Sequence, residues 1–177
     1  MPRPNTVLPA GTRAPDFDLP VNSAEPPPPG RPLPRISLRE LAGRPVVLVF
    51  YPGDFTPVCS SELAIYNELH AEFEDRFRAR VLGISVDSVW CHRAFARELN
   101  LKVPLLADFH PKGEVSQRYA SYRESDGFSE RSLYVIGGDG VIFWSHLSPL
   151  DVNPGADGVL DALERMSGAA AGGDARP

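Results

Sequence analysis

A chain of 177 residues with 42% hydrophobic and 23% charged residues has the composition of one ordinary globular domain. Its formal net charge of −5 gives no attraction to phosphate backbones or anionic lipid, so neither nucleic acid nor a membrane is expected as a partner. No apolar run approaches the roughly 18 to 20 residues that span a bilayer, and no N-terminal apolar stretch reads as a secretory signal. Two cysteines cannot build a disulfide framework, and no C-x-x-C pair offers zinc or dithiol chemistry, so a reducing, cytoplasmic compartment is predicted.

In chain order, "APDFDLP" reads as a short edge strand. "VNSAEPPPPGRPLPR" then places six prolines between Pro26 and Pro34, and "ISLREL" follows. Prolines withhold the N–H that a sheet ladder needs, so residues 20–35 are predicted as a stiff, extended surface loop between two short strands. A docking site for a partner is the alternative reading of that loop.

"VVLVFY" (46–51) is continuously apolar, as a strand covered on both faces should be. Leu63, Tyr66, Leu69, Phe73 and Phe77 then fall three or four apart and predict one helix over 57–78. "RVLGISV" (80–86) is a second buried strand, and Asp87 or Ser88 caps a helix running to about Leu99. A shorter strand is predicted at 104–108 and a short helix at 112–120. "SLYVIG" and "VIFWSHL" flank "GGDG", a hairpin signal because these residues tolerate the positive φ of tight turns. A last helix follows Pro154. The domain is expected to occupy residues 1–167, with 168–177 a disordered tail. The order strand–helix–strand, hairpin, helix predicts an α/β fold with a central mixed sheet flanked by helices. The right-handed crossover places the N-terminus of helix 57–78 just beyond the carboxyl end of strand 46–51, where open α/β sheets bind ligands.

Cys59 stands at that point. Pro57 suits the first helical turn and Thr56 its N-cap. The first turn surrounds the sulfur with unpaired N–H groups and the positive end of the helix dipole, which favours thiolate, the nucleophilic form. Cys59 also lies four residues before Leu63, on the inward face, and a small core cysteine would occupy the same position.

The neighbouring residues separate these readings. "PGDFTPVC" fits Pro-x-x-x-Thr-x-x-Cys and closely resembles the active-site signature of peroxiredoxins. The resemblance extends through "GTRAPDFDLP", "PVVLVFYPGDFTPVCSSEL", "LGISVDS", "PLLADFHPKGEVSQRY" and "ERSLYVIGGDG", most of residues 10–166. It implies a thioredoxin-like fold with an N-terminal strand extension and a thiol-dependent peroxidase that reduces hydrogen peroxide and organic hydroperoxides without cofactor or metal. By the same resemblance, Cys59 is the peroxidatic nucleophile, Thr56 offers its hydroxyl to peroxide and sulfur, and Pro52 shields the sulfur from water. Arg131 approaches the sulfur from the strand before the hairpin, and its permanent charge stabilises thiolate and developing oxyanion. Glu62 orients that arginine; an ordinary helix-face carboxylate beside a positive N-terminus explains it equally.

Cys91 is the candidate resolving thiol. The resemblance places resolving cysteines of that helix about a turn further along, and Cys91, Phe95 and Leu99 share an i, i+4, i+8 packing face. A one-cysteine cycle with an external thiol reductant, a thioredoxin-like protein or a low-molecular-weight thiol, is therefore expected. His70, His92, His110 and His146 show no metal-ligand spacing and are predicted to be surface or internally satisfied residues. The resemblance makes Phe55 and Trp90 candidates for a contact in a homodimer or higher homo-oligomer. A disulfide oxidoreductase is disfavoured by C-S-S-E in place of C-x-x-C. A non-catalytic redox sensor or holdase remains the alternative.

Overall fold

The computed structural model describes residues 6–23 and 25–172. Two short strands, β1 (Asp18–Pro20) and β2 (Arg35–Ser37), pair antiparallel and form the N-terminal extension. The proline-rich segment between them is mostly exposed, and its corner is a turn in which Arg31 N–H donates to the Pro28 carbonyl at 3.0 Å with Gly30 at φ 80°. Pro29 and Gly30 suit the two central positions of a type II turn.

The main sheet has five strands in the order β5 (Leu105–Ala107), β4 (Arg80–Ser85), β3 (Val46–Phe50), β8 (Arg131–Ile136), β9 (Ile142–Ser148). The first three are mutually parallel, and β8 and β9 run antiparallel to their neighbours, so the sheet is mixed. Side-chain alternation along β3 explains its unbroken apolarity: Val47, Val49 and Tyr51 enter one core and Val46, Leu48 and Phe50 the other. The first core is closed by α1 (Pro57–Glu68), α2 (Val89–Glu98) and α4 (Asp157–Gly172), the second by α3 (Glu114–Arg118) and the N-terminal segment. A small ribbon, β6 (Tyr122–Arg123) with β7 (Phe128–Ser129), was not foreseen, since each strand is only two residues long.

Three local features differ from expectation. The helix predicted over 57–78 ends at Glu68 and gives way to a π-helical turn, Glu72–Arg76. That widened turn keeps Phe73 and Phe77 in the core while the backbone swings through left-handed Arg78 into β4, which apolar spacing alone cannot signal. Thr56 occupies the N-cap position of α1 without capping it through its side chain; its Oγ1 donates instead to the Gly53 carbonyl at 3.0 Å. Helix α4 continues to Gly172, into the expected tail, and residues 173–177 lie outside the described residues.

Candidate active site

Strand β3 ends at Phe50, and the loop 51–56 leads directly into α1, so Cys59 falls at the third position of the helix. Phe55 carries a left-handed φ of 61°, a conformation disfavoured for a bulky side chain, and its ring packs 5.1 Å from that of Phe95. Pro52 and Thr56 are half-buried. The Cys59 side chain turns inward and is 0% exposed.

Arg131 opens β8 and is almost completely buried. Its Nη2 donates to Cys59 Sγ at 3.4 Å, its Nη1 donates to Glu62 Oε2, and its Nε and Nη2 donate to the Leu150 carbonyl at 3.0 and 2.9 Å. The guanidinium is thus held from three directions with one edge against sulfur. Glu62 is fully buried, which removes the reading as an ordinary helix-face carboxylate. Its Oε1 has no hydrogen-bond partner. Burial pushes the Glu62 carboxyl up to about 7 despite the opposing pull of Arg131. A buried ion pair of this kind gives directional order more than stability.

Cys91 lies in a different cluster, with Asp54 and Asp87. Burial, then the nearby negative charge of Asp54, pushes the thiol up to about 12. Asp54, Asp87 and Cys91 bring one ligand atom each within 4.8 Å of one another, the spacing of a metal site. Their oxygens are already engaged: Tyr51 Oη donates to Asp54 Oδ1 at 2.7 Å, His92 Nδ1 lies 2.8 Å from Asp54 Oδ2, and Asp87 Oδ2 accepts from Ser85 Oγ and Asp54 N–H. Hydrogen bonds within the protein account for this cluster.

The sequence motif located Cys59, Thr56 and Pro52, and three of the five candidates, Cys59, Glu62 and Arg131, meet in direct contact. Leu150 was missed because a carbonyl has no sequence signature. Asp54 and Tyr51 were also missed, although both stand inside "YPGDFTPVCS". His92 is buried and hydrogen-bonded, as a satisfied histidine should be. A cavity of about 570 Å³ lies at the opposite end of β3, bordered by Arg13, Leu38, Val46 and Gly138, and shares no residue with these clusters.

A family model described as "AhpC/TSA family" matches residues 10–145. The chain is 28% identical over 162 residues to Peroxiredoxin 2 of Thermoplasma acidophilum, covering 88% of this chain and 75% of that one. Over 136 residues it is 35% identical to Peroxiredoxin-2 of Bos taurus, covering 73% of this chain and 67% of that one. Among solved structures, Enterococcus faecalis AhpC superposes with a TM-score of 0.81 at 25% identity over 95% of this chain and 98% of its own. Mycobacterium tuberculosis AhpC does so with a TM-score of 0.78 at 29% identity, over 92% and 99%. These likenesses carry the thioredoxin-like fold expected from the motif, in the sheet order already described. By that match, and by its identity to the bovine relative, the chain belongs to the AhpC/TSA family: it is a peroxiredoxin, a thiol-dependent peroxidase working between a peroxide and a thiol reductant.

Proposed function

We propose that Cys59 is the peroxidatic nucleophile, that Arg131 and Thr56 stabilise the charge moving during its reaction, and that the cycle needs no second cysteine. The observation that carries this reading is the 3.4 Å contact from Arg131 Nη2 to Cys59 Sγ in a site closed to solvent. A fixed cation against sulfur favours its anionic form, and exclusion of water strengthens that interaction. The thiolate attacks one peroxide oxygen in line with the O–O bond. A sulfur–oxygen bond forms, the O–O bond breaks, and the departing oxygen takes a proton to leave as water or an alcohol. The developing charge falls within reach of the guanidinium and, after a rotation away from Gly53, of the Thr56 hydroxyl. Cys59 becomes a sulfenic acid, which one thiol converts to a mixed disulfide with release of water and a second thiol frees as disulfide.

Glu62 orients Arg131, and Pro52 helps to keep water from the sulfur. Since Cys59 is 0% exposed, peroxide enters only when the 51–56 loop yields slightly. The Cys91 thiol, held protonated by burial and by Asp54, is a poor nucleophile and leaving group, which supports an external reductant, either a thioredoxin-like protein or a small thiol. Hydrogen peroxide and organic hydroperoxides are the substrates of this reading, and a cytoplasmic setting suits a chain built around a free reactive thiol. Phe55 and Trp90, 49% and 55% exposed, suit a contact between copies of the chain near the site. No described helix is long and apolar enough to cross a membrane.

Competition of the protein for hydrogen peroxide against a reference peroxidase tests the assignment. Rapid, stoichiometric consumption is expected for the wild type and none for Cys59→Ser. Oxidation as slow as that of free cysteine would instead favour a redox sensor.

A further inference from the structure

The loop that carries Pro52 and Thr56 is tied to the rest of the fold through Asp54, a residue with no part in the chemistry above. Its side chain is completely buried. Oδ1 accepts from the Tyr51 hydroxyl at 2.7 Å, Oδ2 meets His92 Nδ1 at 2.8 Å, and the backbone N–H donates to Asp87 Oδ2 at 2.9 Å. His92 extends the tie. Its ring is 0% exposed, and its Nε2 donates to the Leu106 carbonyl of β5 at 3.1 Å. One imidazole therefore bridges the catalytic loop, helix α2 and strand β5.

Both ring nitrogens face oxygen: Nε2 a carbonyl, and Nδ1 the Asp54 carboxylate with the Tyr51 hydroxyl 3.3 Å away beside it. A carbonyl only accepts, so Nε2 donates to Leu106, and the 2.8 Å approach of Nδ1 to Asp54 Oδ2 is a second hydrogen bond on the opposite edge of the ring. In a site shielded from water, a hydrogen bond between two fully buried side chains fixes direction as well as distance. The backbone it fixes is strained: one residue beyond Asp54, Phe55 holds its left-handed φ of 61°. Strained backbone persists only where surrounding contacts over-determine it.

The geometry points to His92 as a positioning residue of the peroxidase reaction, acting through Asp54 to hold the Pro52–Thr56 loop in the conformation that presents its groups to peroxide over Cys59. This rests on the assignment of Cys59 made above. The bond to Asp54 carries the effect, and the bond to Leu106 anchors the ring that makes it.

Two amides separate these bonds. His92→Asn keeps an N–H near the Nδ1 position, toward Asp54, whereas His92→Gln keeps one near the Nε2 position, toward Leu106. The readout is the second-order rate constant for the first peroxide reaction in rapid mixing, for variants verified as folded by circular dichroism. This step precedes re-reduction, so the reductant does not enter. Displacing a reacting group by about 1 Å costs on the order of 10²-fold, so His92→Gln is expected to lose about 10- to 100-fold and His92→Asn less than about threefold. A conservative variant that rescues is not what general loss of packing produces. Equal losses in the two variants, or a His92→Gln rate within about threefold of wild type, would overturn the proposal. Tyr51→Phe removes one hydroxyl from the same knot with little change of shape, so the test survives a His92 variant that does not fold. A loss of about threefold or more is expected there, and an unchanged rate counts against the proposal. A wild-type protein with no fast peroxide reaction would overturn the assignment of Cys59 and this proposal together, whereas equal losses against a fast wild type overturn this one alone.

Discussion

Arg131 Nη2 reaches Cys59 Sγ at 3.4 Å across 72 positions of sequence, and the same guanidinium grips Glu62. The first two turns of α1 supply the sulfur and the carboxylate, and the first residue of β8 supplies the cation. Because β8 pairs antiparallel with β3, with Phe50 opposite Ser132, Arg131 is delivered to the carboxyl end of β3 where α1 begins. Sheet register, rather than any local motif, brings these three side chains together.

Removing the cation should damage both stability and reaction. Arg131→Met leaves Glu62 buried without its partner, and breaking such a pair costs about 3–5 kcal/mol, measured by urea denaturation. Loss of a preorganised donor at developing charge lowers the peroxide rate constant by about 10²- to 10³-fold. Arg131→Lys retains charge but not the planar fork that serves Glu62, Leu150 and sulfur at once, so its rate is expected between wild type and Arg131→Met.

How much of this was legible follows from distance along the chain. Cys59, Thr56 and Pro52 sit within eight residues of one another at a strand–helix junction, and the chemistry of a helix N-terminus is local. Arg131 and Glu62 could be named by resemblance, but whether Glu62 faced solvent or guanidinium depended on β3–β8 pairing, which helix periodicity does not encode. The knot around Asp54 joins residues from the 51–56 loop, α2 and β5, and no periodic signal reports such a meeting. The helix boundary at Glu68 was misjudged because apolar spacing continues smoothly through the π turn.

Glu62 makes stability depend on pH in an uncommon direction. Its folded-state value is raised to about 7 from an ordinary 4.5, so the native state binds this proton more tightly than the unfolded state. Its contribution therefore favours folding at low pH, declines as pH rises from about 4.5 to about 7, and is constant above that. Denaturation midpoints of wild type and Glu62→Gln across this range check the sign: the difference should shift against the wild type as pH rises. A difference that moves in favour of the wild type would mean the arginine outweighs burial.

Cys91 is expected to be dispensable for the first oxidation. A thiol pushed up to about 12 is almost entirely protonated at neutral pH. Cys91→Ser keeps a small polar side chain beside Asp54, and its peroxide rate should stay within about threefold of wild type. A peroxide rate constant for Cys91→Ser that falls by about tenfold or more would contradict this, and a Cys59–Cys91 disulfide in non-reducing peptide maps after turnover would contradict the one-cysteine cycle.

Gly83, in β4, is a packing requirement. A Cβ there would lie 2.7 Å from Leu105 Cδ2 and 3.3 Å from the Tyr51 ring, both fully buried. Gly83→Ala is expected to cost about 1–3 kcal/mol in urea denaturation, as overpacked cores do. Since Tyr51 also holds Asp54, the peroxide rate should fall with it.

The most direct test of the account is the mass of the protein after one equivalent of hydrogen peroxide, with the product located by peptide mapping under a sulfenic-acid trap. A gain of one oxygen confined to Cys59, absent in Cys59→Ser, is the predicted result. Loss of two hydrogens, or oxygen carried on any other residue, would contradict it.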